Sequence, residues 1–278
     1  MVSRTKYSTG PRRYEVQAEG PAYTSELGNL LLDGRRQRQP IDLLSERTAL
    51  SVDAAYGVQH YVMAKICEER GESVSAYKIA MTSRTAMSRA GAVEPASGGL
   101  TTSDVLSNHA RISLGEMYQP RVEPELVFIL TDDLSPNPTA SEIRHKSRVV
   151  PGLEIPDSRY RDWFGRATLT DLICDGAHAA KAIANTDLAA AGELSLERLQ
   201  MTLYLGAKPI AEGTSDTVLD NPINALAWLV QHLTLRHLPL AKGLMVWSGS
   251  FIPAVRAEEG TYTAEFEGIG AVSVTFES

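Results

Sequence analysis

Two periods divide this chain. From Ser25 to Gly71 apolar positions recur at helical spacing, most clearly between about Asp53 and Arg70, where Val58, Val62 and Ile66 fall at i, i+4 and i+8 on one face. Ser51 or Asp53 can cap the start of that helix, and Gly71 stands where a left-handed glycine would end it. Beyond Gly71 short runs rich in Val, Ile, Phe and Tyr are punctuated by Gly, Pro, Asn and Asp. Ala76–Met81, Val122–Leu130, Met201–Leu205, Leu244–Trp247 and Val272–Phe276 therefore read as strands. Tyr262, Ala264 and Phe266 alternate, Glu267-Gly268-Ile269-Gly270 turns the chain, and Val272, Val274 and Phe276 return, which predicts a closing hairpin. One helix is predicted within this part: Asn221 caps it, Pro222 takes its first position, and Ile223, Leu226, Val230 and Leu233 form its stripe.

Residues 1–24 show no apolar period and read as a mobile N-terminal extension. Residues 25–72 form a helical N-terminal part, and 73–278 a β-rich part. Ala177–Ala184 is ambiguous, because its alanine content favours a helix. Gly98-Gly99 reads as an isolated pair in a loop.

Composition narrows the function. Lys and Arg number 27 against 34 Asp and Glu, a net charge of −7 that makes nucleic acid a poor general partner. No run reaches the ~18 apolar residues of a membrane span, and the opening residues lack the apolar core of a signal peptide, so the chain reads as cytoplasmic. Cys67 and Cys174 form no CxxC and read as small hydrophobes. There is no GxSxG, GxxxxGK, HExxH or GxGxxG, and the six histidines show no metal-ligand spacing.

The acids are more informative. In Arg121-Val122-Glu123-Pro124-Glu125 strand alternation points Glu123 and Glu125 the same way, their α-carbons roughly 6.6–6.8 Å apart. A hard divalent cation would relieve their repulsion; a solvated face with Arg121 neutralising one acid is the plainer reading. Pro124 removes a ladder hydrogen bond, which predicts an edge strand or a kink. Glu154 lies inside the apolar run Val149–Ile155 and needs a partner, either a metal shared with Glu123 and Glu125 or Arg159. Lys78, between Tyr77 and Ile79, either snorkels to solvent or holds an anion; buried near a metal, its pKa could fall far enough for acid–base work.

Taken together, Tyr77-Lys78-Ile79 with Thr82-Ser83, Pro120-Arg121-Val122-Glu123-x-Glu125, Leu153-Glu154-Ile155 with Asp157-Ser158-Arg159-Tyr160, Asn221-Pro222, Ser248-Gly249-Ser250-Phe251 and Gly268-x-Gly270 resemble the 2-keto-4-pentenoate hydratase and 4-oxalocrotonate decarboxylase family of the fumarylacetoacetate hydrolase superfamily. The resemblance runs from about residue 45 to the C-terminus. It implies an α+β fold, a helical N-terminal part followed by a mixed β-roll, with residues 177–184 in a strand. It further implies that Glu123, Glu125 and Glu154 hold Mg2+ or Mn2+, that Lys78 is catalytic, and that Thr82, Ser83, Arg159 and Ser250 contact substrate. The expected ligand is a small-molecule 2-oxo acid, processed as a lyase substrate through a metal-bound dienolate. A homo-oligomer, in some cases with a cognate pathway enzyme, is the expected assembly.

Departures from the family pattern bear on the branch. Hydratases carry an acid after the Glu-Pro pair, whereas Glu94-Pro95 is followed here by Ala96-Ser97-Gly98-Gly99. The family's Asp-Asn pair reads Asp175-Gly176, and the glycine after Lys-Ile is Ala80. The missing acid, with Gly98-Gly99-Leu100-Thr101 and Asp157-Ser158-Arg159-Tyr160 closer to the decarboxylase branch, tilts the expectation towards decarboxylation of a 2-oxo-3-enedioate, with 2-hydroxypenta-2,4-dienoate hydration as the alternative; the changes at Gly176 and Ala80 bear on substrate and efficiency. An acylpyruvate hydrolase ranks lower, since the sequence shows no histidine–acid pair near the lysine strand. A non-catalytic partner subunit is the remaining alternative.

Overall fold

The computed structural model describes residues 20–188, 195–238 and 240–278. Most of the expected extension, residues 1–19, lies outside them, and the expected boundary at residue 24 moves. Pro21–Thr24 open helix α1 (Pro21–Gln37), with Pro21 in its first turn, where a missing N–H costs nothing. In α2 (Val52–Arg70) the Ser51 hydroxyl accepts the Ala54 N–H, and Gly71, at φ 64°, closes the helix.

The β-rich part contains β1 (Val74–Ala80), α3 (Arg84–Ala90), β2 (Ala96–Thr101), β3 (Val105–Ser107), β4 (Ala110–Ser113), β5 (Arg121–Leu130), α4 (Ala140–Lys146), β6 (Ser147–Ile155), α5 (Leu169–Cys174) and β7 (Lys181–Ala184). It continues with β8 (Gln200–Leu205), β9 (Lys208–Thr214), α6 (Pro222–Leu235), β10 (Met245–Ser250), β11 (Val255–Arg256), β12 (Gly260–Phe266) and β13 (Gly270–Glu277). The single helix expected here, α6, has its Asn221 cap, and its predicted stripe is buried. α3, α4 and α5, of six or seven residues each, are too short to show a helical period. The ambiguous 177–184 stretch divides: Gly176–His178 is a 3-10 turn and Lys181–Ala184 a strand. No described helix is long and apolar enough to cross a membrane.

Two sheets form the body. The larger runs β2-β1-β10-β5-β6-β7-β3, with β11 beside β5; the smaller runs β4-β13-β12-β8-β9. The outer strands of the large sheet, β2 and β3, are joined only by the turn Thr102–Asp104. So short a link brings the two edges together and forces the sheet to curl into a roll.

The roll's faces differ. Val122, Leu126, Phe128, Leu153, Ile183, Tyr77 and Ile79 point outward into the main core, shared with α6 and with the small sheet through Tyr262, Phe266, Val274 and Phe276. A core of this extent is the dominant source of stability. The opposite face is built from Ala76, Leu100, Val127, Val150, Ala182, Ala184 and Trp247. Three of these seven are alanine, and the roll is tight. A Cβ on Gly152 would fall 2.3 Å from Val127 and 2.8 Å from Trp247 Nε1. A third cluster, with Leu27, Leu31, Tyr56, Tyr160, Trp163 and Ala177, packs α1 and α2 against α5 and the end of β2.

Two sequence expectations need correction. Pro124 lies in neither an edge strand nor an isolated kink: β5 is central, paired with β6 on one side and β10 on the other. Its missing N–H is harmless because the β10 register slips between Trp247 and Ser250, and Pro124 faces that bulge, its carbonyl accepting the Phe251 N–H at 3.2 Å. Gly98-Gly99 belongs to a strand, β2, and not to a loop. Gly98 is required there, since a Cβ would lie 1.9 Å from the carbonyl oxygen of Gly176, which is backbone and cannot swing aside. Gly98→Ala should therefore lower stability by about 3 kcal/mol, read as a fall in the calorimetric melting temperature. A melting temperature equal to that of the parent protein would show that the 175–178 turn yields freely.

Candidate metal centre and its surroundings

The inner face of the roll gathers the acids. Register places Glu123 opposite Glu154 and Glu125 opposite Gly152, so the acids share one face of β5 and β6. One oxygen from each of Glu123, Glu125 and Glu154 lies within 4.8 Å of the others. Glu125 and Glu154 are buried and Glu123 is half-buried. Like charges directly opposite on adjacent strands repel, and burial removes the water that would screen them. Lys78 projects from β1 into the same cluster and is 3% exposed, so it does not snorkel to solvent. Its Nζ lies 3.1 Å from Glu154 Oε2.

These groups perturb one another. Burial alone would lower the Lys78 pKa, but Glu154, Glu123 and Glu125 hold it above its ordinary value. The lowered lysine considered from sequence was one beside a metal ion; this direction belongs to the carboxylates alone. Burial raises Glu125 to about 8, reinforced by Glu123 and opposed by Lys78 and the Gly249 N–H. Burial also drives Glu154 well above the usual carboxylate range, against the pull of Lys78.

The donor set fits a hard divalent cation. Three carboxylates converge, one ammonium leaves two negative charges uncompensated if all are ionised, and neither buried oxygen of Glu154 has an aligned hydrogen-bond partner. Glu154 does not meet Arg159, the other partner considered for it. The bulge in β10 contributes a group that sequence reasoning missed: the Gly249 N–H, at φ 110°, donates to Glu125 Oε2 at 2.7 Å.

The other expected site residues are distributed around this centre. Thr82 is buried against the bulge, where a Cβ on Gly249 would come within 2.3 Å of its hydroxyl oxygen. Ser250 pairs with Glu125 across the sheet, and its hydroxyl accepts the Ile252 N–H at 3.4 Å. The Ser83 hydroxyl accepts the Ala86 N–H and caps α3. The Arg159 guanidinium is engaged by protein: Nε donates to Asp175 Oδ1, and the terminal nitrogens donate to the Asp175 and Ala179 carbonyls.

Asp175 organises a second polar cluster. It also accepts from Ser158 Oγ at 2.7 Å and contacts His178 Nδ1 at 2.9 Å. Arg159 and His178 outweigh burial and hold its carboxyl below the ordinary value, while burial pushes His178 down, keeping the imidazole neutral at neutral pH. His178 Nε2, Tyr160 Oη and Trp163 Nε1 are buried without hydrogen-bond partners, and the Trp163 and His178 rings stand 4.6 Å apart. A histidine–acid pair thus exists beside the lysine strand, contrary to the expectation that weighed against a hydrolase. The preceding Gly176 carbonyl rests over Gly98, the β2 partner of Lys78. Asp175-x-x-His178 was the one sequence signal for it. Left-handed φ angles of 65°, 54° and 58° at Gly176, Ala177 and His178 turn the pair inward, and no spacing rule anticipates such a turn.

Comparison with known proteins gives a consistent relationship. No family model matches the chain. It is 31% identical over 225 residues to a 2-keto-4-pentenoate hydratase of Paraburkholderia phymatum, covering 80% of this chain and 85% of the relative. A 2-keto-4-pentenoate hydratase of Paraburkholderia xenovorans is 29% identical over 262 residues, 93% of this chain and 96% of that one. Among solved structures, 4-oxalocrotonate decarboxylase from Pseudomonas putida G7, complexed with magnesium and adipate, superposes with a TM-score of 0.86 at 21% identity, covering 93% of this chain and 98% of that one. The chain belongs to the 2-keto-4-pentenoate hydratase family, lyase-type enzymes, and shares the fold of 4-oxalocrotonate decarboxylase, as its motifs and its roll had suggested.

Proposed function

We propose that the chain is a magnesium-dependent lyase that releases carbon dioxide from a 2-oxo-3-enedioate. The observation that carries this reading is the convergence of Glu123, Glu125 and Glu154 around one point beside Lys78. A divalent ion held by those carboxylates would chelate the 2-oxo acid and offset negative charge gathering on its keto oxygen. The rest falls to the chain's own groups. Lys78, buried beside Glu154, is placed to bind the carboxylate next to the keto group. The Gly249 N–H orients Glu125. The Ala76, Val127, Val150 and Trp247 wall keeps water from the reacting carbons. As the bond to the distal carboxylate breaks, its electron pair forms a new C=C, the existing double bond shifts by one position, and the keto oxygen takes the charge. Protonation of that oxygen then yields the 2-hydroxydienoate.

The face of β2 towards Lys78 supports decarboxylation over hydration. It presents Ala96 and Gly98, neither of which can move a proton. Hydration is the second reading, favoured by the relatives' activities and by the Asp175–His178 pair, whose free Nε2 could serve a water. A small-molecule 2-oxo acid, a cytoplasmic location and self-association go with either reading.

Three outcomes test the proposal. Glu125→Gln should remove calorimetrically detectable Mg2+ binding and lower turnover at least ~100-fold with the fold retained; undiminished turnover after metal stripping would refute the centre. With Mg2+ present, 2-oxo-3-hexenedioate should release carbon dioxide faster than 2-hydroxypenta-2,4-dienoate takes up water, and the reverse ranking would assign the chain to the hydratases. The metal-free protein should also lose stability as pH rises from about 4.5 to about 8, because a Glu125 with a raised folded pKa holds its proton in that window while the unfolded chain has released it. Melting temperatures across this range should fall for the stripped protein and level off with Mg2+.

A further inference from the structure

The rim of the roll carries an unneutralised arginine pair. Arg121 is two residues before Glu123 on β5, and strand alternation gives both side chains the same face. β11 pairs with this end of β5, setting Arg256 opposite Arg121 and Val255 opposite Val122. Val122 and Val255 turn into the main core, so the two arginines share the opposite face, that of the metal carboxylates. Like charges directly opposite on adjacent strands are destabilising, and neither arginine forms a salt bridge among the described residues. Arg121 is nevertheless held in place. The Arg121 guanidinium lies 3.2 Å from the Phe164 ring centroid and 5.9 Å from that of Trp163, and Nη1 donates to the Ala254 carbonyl at 3.2 Å. Its Nε is buried with no hydrogen-bond partner. An anion reaching this rim would relieve the repulsion and accept the free donor.

We infer that Arg121 and Arg256 bind the distal carboxylate of a dicarboxylic 2-oxo acid whose keto-acid end lies at the Glu123–Glu125–Glu154 centre. This rests on the proposed function above and deepens it by assigning specificity for a dioate over a monoacid of the same length. Such specificity follows from position. Metal carboxylates and arginines line one sheet face about one residue pair apart, which is the scale of a short dioate, and a guanidinium held flat by an aromatic ring beside a second arginine recognises a carboxylate better than a hydrated lysine would. Phe164, 47% exposed, supports the guanidinium from the outside and closes the rim.

The test compares 2-oxohexanedioate with 2-oxohexanoate, saturated acids that bind without reacting, by titration calorimetry in Mg2+. The parent protein should bind the dioate at least ~10-fold more tightly. That ratio should fall towards one in Arg256→Gln, a change at an exposed position that spares the core, and in Arg121→Gln. Equal affinities in the parent protein, or a parallel loss of both acids in the variants, would overturn the assignment while leaving the metal centre intact. Absence of Mg2+-dependent binding by either acid would overturn the arginine assignment and the proposed function together.

Discussion

Mutual repulsion among three carboxylates inside a dry, curled sheet is the constraint around which this protein is arranged. Glu123, Glu125 and Glu154 come close enough for a single ion to touch all of them, and among the described residues the salt bridge to this cluster comes from Lys78. In a low-dielectric interior such an imbalance is costly. The pKa directions express that cost: the buried acids are pushed up, and the lysine is held up. In the proposed reaction a cation that offset this repulsion would also accept charge from substrate, so folding and chemistry would draw on the same electrostatics.

The backbone makes that cluster possible through local irregularities. Pro124 would interrupt an ordinary central strand, yet it meets the β10 bulge, where no ladder bond is lost. The same bulge frees the Gly249 N–H for Glu125. Gly98 lacks a side chain so that the left-handed turn at residues 176–178 can lie against β2, and that turn presents His178 to Asp175. Irregularities of this kind concentrate where a site must be aimed.

Around the shared centre the chemistry is divided by the groups at the roll's ends. Arg121 and Arg256 create positive potential at the rim, whereas Asp175, Arg159 and His178 form a polar cluster packed with Tyr160 and Trp163. Arg159 illustrates how a polar side chain can be absorbed by structure. Its donors end on Asp175 and on carbonyls, so its charge organises the wall of the cavity. In the proposed reading the three acids hold the ion and these surroundings distinguish one lyase from another.

The sequence by itself determined the elements whose signals are local. The α2 stripe and caps, the α6 cap and proline, the closing hairpin and the alternation that aligns Glu123 with Glu125 all depend on residues within a few positions of each other. Family motifs extended that reach to Glu154 and Lys78. Only the tertiary structure decided what lies across from what: the bulge opposite Pro124, the carbonyl above Gly98, Arg256 beside Arg121, and a lysine whose pKa is raised by acids from two other strands. These features arise from register and curl, which bring together residues far apart in sequence, and a pattern read along one strand carries no information about its neighbour's offset.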